Sequence, residues 1–141
     1  MAADYFLRQG RDADALAGEL DTPERRRRYI SEFYGHRFWA APGGFTRADV
    51  DRMTEPFADA EHLRAGFGNY ESALGAIPLS EAPMLFEPSA VPTLALYGPE
   101  DHVIWREFPR MCEVAFSDLT GPFTIPGAGH FLQWERAETL N

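Results

Sequence analysis

The chain has 141 residues, 45% of them hydrophobic, with 13 Lys+Arg against 22 Asp+Glu and a formal net charge of −9. That length suits one ordinary domain; its 11 Phe, 5 Tyr and 3 Trp exclude disorder for the bulk of it, and its acidity argues against a nucleic-acid surface, which needs clustered Lys and Arg. A single cysteine, Cys112, excludes an internal disulfide or multi-cysteine metal site and fits a reducing cytoplasm, while no apolar run approaches the ~20 residues of a membrane span and no signal-peptide order opens the chain.

Tyr5, Phe6, Leu16 and Leu20 anchor a weakly helical stretch over residues 1–20, interrupted at Gly10. Asp21-Thr22-Pro23-Glu24 is a helix start, with either Thr22 or Asp21 as the cap. The helix that follows carries Tyr29/Ile30, Phe33/Tyr34 and Arg37/Phe38 at a spacing of four, and Arg25–Arg28 reads as its solvated first turn or, because the helix dipole disfavours cations there, as a contact to an acidic neighbour. Pro42-Gly43-Gly44 closes it in a turn. Thr46-x-x-Asp49 fits a capping box for a short helix that stops before Pro56. Ala60, Leu63, Phe67, Tyr70, Leu74 and Ile77 then form an unbroken helical stripe. Gly66 and Gly68 inside it point to a close approach against the backbone there, since each costs ~1 kcal/mol relative to Ala.

Residues 79–90, with Pro83 and Pro88, read as a connector, because proline propagates neither a helix nor a central strand. Val91–Tyr97 is nearly all apolar, as expected of a strand buried on both faces. A helix is expected around Ile104–Phe116, its start delayed or kinked by Pro109. A second strand follows at Phe123–Ile125, then the loop Pro126–His130, and a last helix begins at Leu132. Strand, helix and strand at this spacing make a βαβ unit with parallel pairing. The expected fold class is therefore α/β. Two parallel strands leave both outer edges raw, so the fold reads as part of a larger covered sheet.

The segments YGPEDHV (97–103) and PGAGHFLQWERAE (126–138) resemble the end of an α/β-hydrolase, in which nucleophile, acid and histidine follow in that chain order. EFYGHRFWAAPGGFT and MTEPFADAEHLRAGFGNYESALG resemble the helical cap of the epoxide hydrolase and haloalkanoate (haloacetate) dehalogenase branch. The resemblance implies a cap over residues 1–78, a connector over 79–90 and the C-terminal part of the hydrolase core over 91–141. No serine has glycines at both elbow positions, and no His-Gly oxyanion segment is present, so the nucleophile and oxyanion hole are expected upstream of Met1.

In the activity so implied, a small epoxide or haloalkanoate forms an ester on an upstream aspartate, and His130 activates water to hydrolyse it. Asp101 would fix the tautomer of His130; its other reading is a helix N-cap ahead of Val103, and the two roles are compatible. Glu100 is the nearest substitute acid, and some members of the branch place their acid after an earlier strand. Tyr70 is either a core tyrosine on the helical stripe or, by its match to the cap, a substrate-facing donor. Trp39 and His36 are cap aromatics that line the pocket or pack in the core. His62 and His102 have no metal-ligand spacing, so neither metal nor organic cofactor is expected. Cys112 reads as a buried, inert thiol. The expected partner is a small-molecule substrate, with no nucleic acid and no membrane, and with self-association through unpaired strand edges. The chain alone is expected to be inactive. The competing reading is a non-catalytic module that binds a partner through those edges.

Overall fold

The computed structural model describes residues 4–81 and 87–141. Part of the expected connector, residues 82–86 with Pro83, lies outside them. The chain divides into two compact units, one of Met1–Glu32 and Arg47–Ala82, the other of Phe33–Thr46 and Pro83–Asn141. Residues 33–46, expected with the cap, thus group with the strands.

The first unit is helical. Helices α1 (Tyr5–Arg11) and α2 (Ala13–Glu19) break at Asp12, not at Gly10. Gly10 is buried inside α1 because the chain around Tyr70 and Leu74 passes against it: a Cβ there would lie 2.5 Å from Leu74 Cδ1 and 2.7 Å from the Tyr70 carbonyl. Helix α3 (Pro23–Gly35) opens with Pro23 in its first turn, and Thr22 Oγ1 accepts the Arg25 N–H at 3.2 Å, so Thr22 provides a cap. The arginine run is not uniformly solvated. Arg25 pairs with Asp21 at the surface, but Arg26 is 7% exposed, donating to the Ala58 carbonyl at 2.6 and 2.9 Å and to the Leu20 carbonyl at 3.0 Å.

Helix α4 (Arg47–Thr54) stops before Pro56, and a 3-10 turn over Glu55–Ala58 follows. The long apolar stripe divides into α5 (Ala60–Gly66) and α6 (Gly68–Ala73) rather than forming one helix. Asp59 caps α5 by accepting from the N–H groups of Glu61 and His62. At the break the Phe67 N–H donates to the Arg64 carbonyl three residues back, a tightened turn, and Leu63 and Phe67 still reach the core at 1% exposure each. The close approach expected at Gly66 and Gly68 is absent: a Cβ at Gly68 would meet nothing within 4 Å, and one at Gly66 only Phe57 at 3.7 Å.

In the second unit, β1 (Thr93–Tyr97) and β2 (Leu119–Thr124) pair in parallel, joined by α7 (Phe108–Ala115), with Pro109 in the first turn of that helix. This is an α/β arrangement with a two-stranded parallel sheet. Its register couples Thr93 with Leu119, Leu94 with Thr120, Leu96 with Phe123 and Tyr97 with Thr124, with an irregularity between Leu94 and Leu96. Strand β2 therefore starts four residues earlier than expected, passing Pro122 at that irregularity. The expectation that β1 is buried on both faces fails: Ala95 is buried, yet Leu94 is 60% exposed because the described residues place nothing over it. Cys112 is buried in α7. Two short helices, α8 (Leu132–Glu135) and α9 (Ala137–Leu140), end the chain in place of one. Among the described residues no helix is long and apolar enough to cross a membrane.

Candidate functional site

The loops that leave β1 and β2 emerge at the carboxyl ends of neighbouring parallel strands, where open α/β sheets place their ligands. The first loop carries Asp101 and the second His130. They are joined directly: the Glu100 N–H donates to the Ala128 carbonyl at 2.9 Å, and the Ile125 N–H to the Tyr97 carbonyl at 2.8 Å. Gly98 allows this closeness, since a Cβ there would lie 2.3 Å from the Ala128 carbonyl oxygen.

Between the loops, Asp101 Oδ2 and His130 Nδ1 are 2.9 Å apart. A carboxylate only accepts, so Nδ1 carries the proton and Nε2 is the free basic atom of the neutral ring. Exposure is divided between the partners: the Asp101 side chain is 6% exposed and the imidazole 44%. Asp101 Oδ1 also accepts from Val103 N–H at 2.8 Å and Ile104 N–H at 3.1 Å. Burial pushes the Asp101 carboxyl up, but the bonds from His130, Val103 and Ile104 outweigh it and hold the group below its ordinary value. The hydrogen bond to Asp101 lifts His130 above its ordinary value against the opposing effect of burial, with the charges of Asp101 and Glu135 adding to the rise. Such a pair can hold a proton on the ring or pass it to a neighbouring group.

The turn at residues 36–41 supports both loops. The His102 N–H donates to the Phe38 carbonyl at 3.2 Å and the His130 N–H to the Trp39 carbonyl at 2.7 Å. The contribution of Trp39 is thus a backbone carbonyl. The residue is 5% exposed, with its ring packed among Phe33, His36 and Phe38. His36 is exposed and uses Nδ1 to accept the Phe38 N–H at 3.0 Å. Tyr70 lies in the first unit, half-buried, with its ring edge-on to Tyr5 and Phe6; burial raises its phenol. His62 takes part in a local contact with the Pro56 carbonyl, and no cluster of metal-ligating side chains occurs among the described residues.

Sequence reasoning missed Glu135. It is 7% exposed and accepts from three backbone N–H groups: Gly129 at 2.6 Å, Ala41 at 3.1 Å and Phe131 at 3.3 Å. The available signal was its place one turn into a helix, from which a carboxylate reaches back to the first N–H, as in a capping box. Set against family models, curated proteins and solved structures, the chain matches none.

Proposed function

We propose that the chain is the acid–base part of a hydrolase of the α/β-hydrolase type, acting on a small epoxide or haloalkanoate through an ester on an aspartate supplied from outside these 141 residues. One observation carries this reading: a buried carboxylate bonded at 2.9 Å to the Nδ1 of an accessible imidazole, on adjoining loops at the carboxyl ends of two parallel strands. In the first step the aspartate oxygen attacks the substrate carbon; the carbon–halogen bond breaks and halide departs, or the epoxide C–O bond breaks and the oxygen, still held by the neighbouring carbon, takes a proton to become a hydroxyl. In the second, His130 Nε2 takes a proton from water as that water attacks the ester carbonyl, and Asp101 stabilises the resulting imidazolium. Collapse of the tetrahedral species expels the alkoxide, which takes the proton from the imidazolium and departs as the alcohol, while the carboxyl group gives its proton to solvent and the aspartate is regenerated. No organic cofactor enters these steps.

The experiment joins a segment bearing an aspartate nucleophile and oxyanion donors ahead of these 141 residues and assays the extended protein on epoxides, haloacetates and activated esters. Turnover of one class is expected, and His130→Ala should stop it while the covalent ester accumulates and is detected by mass spectrometry. Turnover indifferent to His130→Ala overturns the reading. The 141 residues alone should show no hydrolysis above buffer. They offer water a base but no ester to attack, and losing even one oxyanion donor costs ~3–4 kcal/mol.

A second reading, a non-catalytic module that binds through its strands, is favoured by the 60% exposure of Leu94 and the 54% exposure of Phe123 on the paired strands. It predicts association that persists in His130→Ala.

A further inference from the structure

An ionised carboxylate is costly to bury, and Glu135 is buried with three backbone N–H groups rather than a cation around it. Those groups are not scattered. Gly129 and Phe131 flank His130, and Ala41 belongs to the turn whose Trp39 carbonyl accepts the N–H of His130 itself. All three consecutive N–H groups of residues 129–131 are therefore committed, two of them to one side chain. The same turn holds the acid loop, through the Phe38 carbonyl and the His102 N–H. Packing closes the arrangement: a Cβ at Gly129 would lie 2.5 Å from the Trp39 carbonyl oxygen, and one at Gly44 would lie 2.9 Å from Glu135 Cγ.

We infer that Glu135 is the positioning residue of the Asp101–His130 pair, fixing the base loop against the turn at 36–41 so that Nδ1 meets the carboxylate. The inference rests on the reading of His130 as a base, but its test observes the ring and not turnover. Glu135 acts through backbone groups, with no contact to a reacting atom. Its negative charge acts in the same direction as that of Asp101, favouring the protonated ring.

The test is nuclear magnetic resonance of the imidazole in the 141-residue chain, comparing Glu135→Gln, Glu135→Asp and the exposed control Glu138→Gln. Glu135→Gln removes the charge and one acceptor oxygen; Glu135→Asp keeps the charge but is a methylene too short to span Gly129, Phe131 and Ala41. Both should lose the slowly exchanging Nδ1 proton signal, and Glu135→Gln should also lower the pKa of His130, while Glu138→Gln changes neither. Retention of the Nδ1 signal in Glu135→Gln overturns the proposal. Its retention in Glu135→Asp alone reduces the role to charge and overturns positioning. Should the variants unfold, the unsubstituted chain decides: the amide protons of Gly129 and Phe131, held by Glu135, should exchange with solvent as slowly as that of His130. Fast exchange at Gly129 and Phe131 beside a protected His130 Nδ1 would overturn the proposal. A Glu135-dependent ring, beside an extended protein that carries the nucleophile yet hydrolyses no epoxide, haloacetate or ester, would defeat the hydrolase reading and leave the positioning intact.

Discussion

The two carboxylate oxygens of Asp101 serve different ends: Oδ2 meets His130 Nδ1 at 2.9 Å, and Oδ1 accepts the N–H groups of Val103 and Ile104. One side chain thereby caps its own loop and orients the ring across from it. The cap holds the carboxylate in place without competing for the oxygen the imidazole uses. No helix begins at Val103, since α7 starts at Phe108, so the expected helix N-cap is instead a cap on a turn of the loop, made by the same carboxylate that bonds the ring.

Asp101→Asn should separate these roles. The amide oxygen can still accept from Val103 and Ile104, so the loop should hold its shape. The ring loses a charged acceptor, and the pKa of His130 should fall toward its ordinary value. Asp101→Ala also loses the hydrogen bonds to the loop N–H groups of Val103 and Ile104 and should lower stability by a further ~1 kcal/mol. Ring titration by nuclear magnetic resonance reads the first effect, and thermal melting compares the two variants.

The same pair sets a dependence of stability on pH. Asp101 is depressed, so its contribution is full above the unfolded carboxylate value and is lost as pH falls through the folded one. His130 is raised, so its contribution is full below the unfolded imidazole value and is lost as pH rises through the folded one. Both are present together between about pH 4 and 6.5. The contribution of the pair, read as the difference in melting temperature between the unsubstituted chain and His130→Ala, should be largest in that window. A difference that keeps growing above pH 8 would contradict it.

How much of this was legible in the sequence follows physical lines. Asp101 and His130 could be placed because loops after apolar strands are marked by Gly and Pro, and because parallel pairing brings strand ends together. The start of α3 was legible through Thr22 and Pro23, whose chemistry is local. Arg26 was not, since its partners are backbone carbonyls, which leave no trace in residue identity; Glu135 carried a local capping signal toward Phe131 only, and its bonds to Gly129 and Ala41 left none. Arg26 finds the Ala58 carbonyl across 32 positions of sequence. The stripe from Ala60 to Ile77 misled because periodicity reports which residues face the core and not whether the helix between them is continuous. Leu94 misled for a related reason: an apolar residue shows what a strand can bury, while its actual exposure depends on neighbours the strand itself does not encode.

Arg26 and Arg25 are adjacent, yet they should respond very differently to substitution. Arg26→Ala leaves the Ala58 and Leu20 carbonyls without their guanidinium donors in a buried setting, a loss of ~1–3 kcal/mol. Arg25→Ala removes a surface pair with Asp21 and should cost less than ~1 kcal/mol. Chemical denaturation of both variants checks the order, and equal midpoints would contradict the buried role of Arg26.

Two helical glycines provide an opposed pair. At Gly18 a Cβ meets nothing within 4 Å, so Gly18→Ala should gain the helix propensity of alanine, up to ~1 kcal/mol. At Gly10 the same gain is available, but the Cβ would enter the space of Leu74 and the Tyr70 carbonyl, and overpacking costs ~1–3 kcal/mol. The steric cost exceeds the propensity gain, and Gly10→Ala should lower the melting temperature while Gly18→Ala raises it.

The exposed strand pair bears on association. Phe123 lies in register with Leu96, two residues from Leu94, and the exposed side chains of Val91, Met111 and Val114 add to the apolar surface of the second unit. Apolar surface of this kind is retained in solution only at a cost, and contact with a second copy removes it from water. Parallel strands with free edges add backbone groups that a second chain can pair. Sedimentation of the 141-residue chain should therefore show self-association that strengthens with concentration, and Leu94→Lys with Phe123→Lys should weaken it by opposing the burial of two apolar positions with charge. His130→Ala should leave it unchanged, which separates association from the chemistry of the dyad. A monomer at all concentrations, with a cooperative melt, would mean that this surface is tolerated in water and that association through the strands does not occur.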